Sequence, residues 1–294
     1  MKFNIGTYFA SSGQYFKKRH TMQSGYYSSA AGMVTQFNRL DTIANNLANV
    51  NTAGFKEDSL IVGDFLRLYK EARDELPNAN HTKEAAQFLN RAMNKAPQVV
   101  DAFTDYSLGN MQKSDNSLDM ALSKEGLFFL VKTPNGVRLT RDGSFTKDDE
   151  GKLITKQGYE VLPSDYFITN QPVVLNQGDS AIEIDKNGQI FTNAGGGMTL
   201  EAAQRLFIVQ PDNVALLKKE GNSLYKYEGD TEFISVDESE AVKQGFVEKS
   251  NVNAVKMMTQ LIEANRLVGM YQKAMDTQMN DMNRDAIEKI ARKS

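Results

Sequence analysis

Two stretches of the chain, one near each end, repeat apolar or small residues at alternating steps of four and three. The first runs Tyr26, Ala30, Met33, Phe37, Leu40, Ala44, Leu47, with Ile43 widening the stripe. This spacing predicts a helix with a heptad seam, closed by the turn residues "NVNTAG" with Gly54 as its stop. The second runs Ala254, Met258, Leu261, Asn265, Val268, Gln272, Met275, Met279, Met282, Ala286 and predicts a helix from about Asn251 to Ile290. At 1.5 Å per residue these helices measure about 40 and about 60 Å. Helices that long exceed what a small core needs, so each should pack against the other or against neighbouring molecules.

Between them the hydrophobic period falls to two. "GLFFLVKTPNGVRLTRDGSFTKDDEGKLITKQGYEVL" alternates short apolar runs with "PNG", "RDG", "DDEG" and "KQG", the pattern of a hairpin meander. "AIEIDKNGQIFT", "RLFIVQ" and "SLYKYEG" continue it, so an antiparallel β domain is expected from about Leu118 to Tyr227, with "NAGGGMTLEAAQ" as a loop or short helical excursion. Residues 58–94 return to helical periodicity around Pro77 and read as two inserted helices. The expected fold is α+β, with paired coiled-coil-like terminal helices, a compact antiparallel β domain and a helical insert. Its divisions are 1–57, 58–105, 106–245 and 246–294.

Composition narrows the chemistry. A net charge of -3 over 294 residues is not the basic balance of a nucleic-acid binder. No run of about 18 apolar residues offers a membrane span. Without cysteine the chain has no thiolate site or disulfide, and its two histidines, His20 and His81, lie far apart on polar segments, which argues against a zinc site or a histidine triad. At the N-terminus, Asn4, Gly6 and Thr7 interrupt the apolar stretch and the basic cluster 17–20 follows it, so a cleaved signal is not expected.

Isolated motifs fare no better. "SFTK", Ser144 to Lys147, has the serine-acylase spacing but sits in a hairpin run without companion motifs, so two solvent-facing strand residues are expected there. "AGGGM", Ala194 to Met198, lacks a phosphate-loop context. "DKNGQI" begins like a calcium loop but has no closing glutamate and reads as a turn. No catalytic, cofactor or metal site is expected. A secreted binding module on a coiled-coil stalk remains the competing class; it would form a closed oligomer.

Asn45 to Phe55, "NNLANVNTAGF", closely resembles the N-terminal signature of the flagellar axial proteins, the rod and hook group. "TDYSLG", "NSLDMAL", "GLFF" and "TRDGSF" resemble that group's β domain, and "GFVEKSNVN" is similar to its closing motif. The likeness begins near Met22, close to the group's usual start, so 1–21 reads either as an extension or as a mis-set start. The small β domain resembles that of the rod members, and "RLVGMYQKAMDTQMNDMN" departs from the distal pattern, so the proximal (FlgF-like) kind is favoured.

The resemblance implies a structural subunit of the rod, exported unfolded through the flagellar type III system and assembled helically with itself and other rod proteins in the basal body. It implies neither cofactor nor membrane insertion. Assembly contacts are expected at Phe37, Leu40, Ile43, Asn45, Asn46, Leu47, Asn49, Asn51, Gly54, Phe55, Leu261 and Val268. Asparagine is a poor helix former. Asn38, Asn45, Asn46, Asn49 and Asn51 would keep the terminal helix uncommitted until lateral hydrogen bonds form in the assembly.

Overall fold

The computed structural model describes residues 6–64, 97–175, 182–193, 200–229 and 240–291. They fall into two compact units. One gathers the chain up to Asn45, the segment Ser59–Phe103 and the chain from Val255; the other gathers Asn46–Asp58 and Thr104–Ala254.

In the first unit, helix α1 spans Gly6–Ala48, so most of the stretch preceding Met22 is helical backbone. Strands β1 (Asp58–Asp64) and β2 (Pro97–Thr104) form a two-stranded sheet. This corrects the expectation of helix from residue 58: β-branched Ile61 and Val62 favour extended backbone, and β2 supplies the partner. The remainder of the expected insert, 65–94, lies outside the described residues, as do His81 and "AGGGM".

The second unit is β-rich and antiparallel. Its strands are β3 (Met111–Lys113), β4 (Met120–Leu122), β5 (Phe128–Thr133), β6 (Gly136–Thr140), β7 (Phe145–Lys147), β8 (Leu153–Thr155) and β9 (Glu160–Val161). A one-turn helix α2 (Tyr166–Thr169) precedes β10 (Ile182–Ile184), β11 (Gln189–Thr192), β12 (Glu201–Arg205), β13 (Ile208–Val209), β14 (Leu217–Gly221), β15 (Leu224–Tyr227), β16 (Val242–Gln244) and β17 (Phe246–Glu248). Helix α3 (Ala254–Ala291) then closes the described chain.

An eight-stranded sheet runs β14-β15-β6-β5-β9-β8-β7, with β13 also on β5. β5 is its spine. Successive side chains on a strand point to opposite faces. Phe129 and Val131 therefore enter one core with Met120, Phe145 and Leu153, while Phe128 and Leu130 enter a second with Leu139, Phe207 and Tyr225. The turns "PNG" and "KNG" connect hairpins as expected: Thr133 pairs with Gly136, and Ile184 with Ile190. "EAAQ" does not form a helical excursion; β12 pairs with β11 there, sheet pairing overriding the helical preference of alanine and glutamate. Ser144 is not solvent-facing but 4% exposed and bridged to Asp119.

The terminal helices keep the expected period but shift its phase. α1 buries Gly32, Thr35, Gln36, Ile43 and Asn46, whereas Phe37 and Ala44 are exposed and Met33, Leu40 and Leu47 half-buried. In α3 the covered line is Met257, Leu261, Ala264, Val268, Tyr271, Met275, Gln278 and Met282. Leu261, Val268, Met275 and Met282 belong to the expected seam; Met258, Asn265, Gln272 and Met279 face outward instead. Gly32 explains the shift in α1. A Cβ at Gly32 would lie 2.5 Å from the Tyr271 ring, so the closest approach falls on a residue with no bulk to count.

Candidate functional site

The N-terminal signature does not end in an ordinary helix stop. α1 ends at Ala48 and the chain turns through Asn49 N–H to Asn46 O and Thr52 N–H to Asn49 O. Gly54 follows six residues later with φ +66, a conformation L side chains rarely adopt. Its role is proximity: a Cβ there would lie 2.5 Å from the carbonyl carbon of Arg141, and its N–H donates to Glu248 O at 2.9 Å.

Beyond Gly54, Lys56 turns inward. It is 1% exposed, and its Nζ donates to Glu248 Oε1 at 2.7 Å and to Ser107 O. Arg141, also 1% exposed, donates from Nε to Glu248 Oε2 at 2.9 Å, with Nη2 2.7 Å from the same oxygen. Its remaining N–H groups reach Lys124 O, Leu127 O and Leu122 O. The Gly109 N–H adds a second donor to Glu248 Oε1 at 2.9 Å. One buried carboxylate thus holds two buried cations, leaving a net charge of +1. Isolated buried charge is costly, and such a group persists only with full hydrogen bonding. Burial pushes the Lys56 ammonium below its ordinary value; Glu248 opposes that shift and Arg141 adds to it.

Around this node, further bonds fix the loop 46–58. Asn46 is 1% exposed, and its side chain donates to Asp58 O at 2.7 Å and accepts from Asp58 N–H at 3.0 Å. Asn251 accepts from Glu57 N–H at 2.7 Å while donating to Asp105 O at 2.9 Å. Lys219 lies 2.7 Å from Asp58 Oδ2 and 4.2 Å above the ring of Phe55. Burial lowers its ammonium as well, against the Asp58 hydrogen bond.

Of the expected contact residues, the structure brings Asn46, Gly54 and Phe55 together here. Asn46 neither faces solvent nor projects laterally, because a side-chain amide matches the donor and acceptor of a peptide group. Asn49 is half-buried and accepts from Thr52 Oγ1 at 3.1 Å; Asn45 and Asn51 are exposed. Phe37, Leu40, Ile43, Leu47, Leu261 and Val268 lie along the two long helices, from fully covered Ile43 to exposed Phe37. Sequence reasoning passed over Lys56, Arg141, Glu248 and Asn251. Charged residues are rarely buried, and "RDG" looks like turn chemistry. The available signal was their place in or next to the quoted motifs: Arg141, Glu248 and Asn251 lie within them, Lys56 directly follows one, and "NSLDMAL" and "GLFF" supply the Leu122 and Leu127 carbonyls.

Three family models match the chain: "Flagella basal body rod protein" over 27–56, "Flagellar hook protein FlgE/F/G D1 domain" over 124–192 and "Flagellar basal body rod FlgEFG protein C-terminal" over 243–288. The flagellar basal-body rod protein FlgF of Caulobacter vibrioides is 30% identical over 274 residues, covering 92% of this chain and 99% of that protein. FlgG of Borreliella burgdorferi is 29% identical, covering 88% and 96%, and FlgG of Agrobacterium fabrum is 30% identical, covering 84% and 92%. The chain belongs to the flagellar basal-body rod proteins of the FlgF/FlgG type. These are structural subunits and not enzymes. Among the described residues, no helix is long and apolar enough to cross a membrane.

Proposed function

We propose that this chain is a subunit of the flagellar drive shaft, joined helically to copies of itself and to other rod and hook components, and that it transmits torque through repeated contacts without catalysis. The observation that carries this reading, beyond family membership, is the apolar surface left on both terminal helices. Val34 and Phe37 on α1 are 56% and 43% exposed, and Val255, Met258, Ile262 and Met270 on α3 are 52–75% exposed. Scattered single apolar residues are ordinary, but successive turns of two long helices offer a continuous contact for neighbours.

In this proposal α1 and α3 pair as an antiparallel coiled coil. Gly25 meets Gln278 and Gly32 meets Tyr271, so seven residues forward on one helix match seven backward on the other. The outward line of Phe37, with Asn45 and Asn51, contacts adjacent subunits; Ile43, Leu261 and Val268 hold the pair itself, with Leu40 and Leu47 at its edge. Contacts that repeat without closing build a helical array. The subunit is exported unfolded by the type III apparatus. The C-terminal departure from the distal pattern favours the proximal kind.

The test is complementation in cells lacking this chain. The wild-type chain should restore motility and complete basal bodies, and Phe37→Asp should be secreted but not incorporated. Unimpaired motility in the deletion strain would overturn the proposal.

A further inference from the structure

We infer that Glu248 is a closing key, whose arrival from the C-terminal side of the β unit permits the N-terminal signature loop to dock. The inference rests on the geometry of the β unit and is independent of the assembly proposed above. Lys56 and Arg141 both precede Glu248 in the chain, by 192 and 107 residues.

Without Glu248, docking the loop would bury two cations with only carbonyl acceptors between them. Ser107 O receives Lys56; Lys124 O, Leu127 O and Leu122 O receive Arg141. Carbonyl dipoles do not neutralise that charge, and an unpaired buried ion is strongly destabilising. The same C-terminal segment brings further fasteners, beside those that Lys219 and Ser223 of the β14–β15 hairpin offer to Asp58, Lys56 O and Ala53 O. β16 pairs with β4 and β17 with β3, Gly54 N–H donates to Glu248 O, and Glu57 N–H donates to Asn251. The eight-stranded sheet holds none of these C-terminal residues and reaches the loop through Lys219 and Ser223 of the β14–β15 hairpin, whose bonds leave both buried cations without an anion. The sheet can therefore form while the loop 46–58 stays undocked.

Two amides follow the loop without touching the C-terminal segment, Asp58 reporting its closure and Asp105 its docking. Asp58 N–H donates to Asn46 Oδ1, and Asp105 N–H donates to Glu57 O at 2.8 Å. In full-length Glu248→Gln, both should exchange about a hundredfold faster or more, while Leu130 and Leu162 amides in the sheet keep wild-type protection. Adding Lys56→Met to that variant removes one unpaired cation and should recover much of the lost protection. Wild-type protection of Asp58 and Asp105 in Glu248→Gln, or no recovery in the double variant, would overturn the inference.

Should Glu248→Gln fail to fold at all, pulse labelling during refolding of the wild-type chain decides. Protection at Asp105 and Asp58 is expected no earlier than at Lys249, whose N–H donates to Asn110 O. Protection of those amides before Lys249 would also overturn it.

Discussion

Lys56 and Glu248, 192 residues apart, meet at 2.7 Å with side chains 1% and 0% exposed. This pair ties the motif that follows α1 to the motif that precedes α3. The charge arithmetic of the node predicts unequal effects. Glu248→Gln leaves Lys56 and Arg141 buried without an anion and should cost about 3–5 kcal/mol. Lys56→Met keeps the Arg141–Glu248 pair and should cost about 1–2 kcal/mol, chiefly for the stranded acceptors. Urea unfolding followed by tyrosine fluorescence measures both; equal losses would contradict the assignment.

Gly54 and Gly158 separate conformation from contact. Both have positive φ, but a Cβ at Gly158 has nothing within 4 Å, whereas at Gly54 it strikes the Arg141–Asp142 backbone. Gly158→Ala should cost about 1–2 kcal/mol, the left-handed penalty alone. Gly54→Ala should cost clearly more, and its amide hydrogen bond to Glu248 O should lose protection. Equal thermal shifts for the two variants would show that the close approach is unimportant.

The buried ammonium of Lys56 sets a pH dependence. Its folded-state value lies below 10.5, so well below that value both folded and unfolded chains are protonated and the cost of burial is fully present. As pH rises through the folded value toward 10.5, the unfolded chain binds more protons and stability contributed by this group increases. Tyrosines act oppositely: burial raises Tyr106 to about 12 and Tyr225 further, so their contribution is lost as pH climbs above 10.0. The wild-type chain should therefore gain stability relative to Lys56→Met between neutral and strongly alkaline pH, a difference in which the tyrosines largely cancel. A gap unchanged by pH would refute the assigned burial.

On the helices, exposure discriminates subunit stability from assembly. Phe37→Asp and Leu47→Asp should leave the β unit's urea midpoint unchanged and abolish sedimentable assemblies. Ile43→Asp, at a position 4% exposed, should also reduce helix content by circular dichroism. Normal assembly by Leu47→Asp would remove the expected seam from the account.

The period of both helices and the hairpin turns were legible because periodicity and turn chemistry are local, whereas β3, β16 and β17 lie beyond the expected span from Leu118 to Tyr227, being short strands paired across long sequence separations. The phase of α1 was not, since Gly32 carries no apolar bulk and the line of closest approach depends on Tyr271 in a distant segment. The node was illegible for a related reason. Lysine, arginine and glutamate read individually as surface residues, and only the pairing of β17 with β3 and the turn at Gly54 bring the three together. Ile61 and Val62 did carry a strand signal within the stretch read as helix, outweighed there by the charged helical residues after it.

The most direct test of the account follows the mass of the purified full-length chain by light scattering as concentration rises, with amide exchange mapped at each point. The account predicts a dilute monomer whose β unit, including the Asp58 and Asp105 amides, is protected while α1 and α3 exchange rapidly. With rising concentration the mass should grow without a fixed limit as the helices become protected. A closed oligomer of constant mass, with both helices protected throughout, would contradict it and favour the stalked binding module.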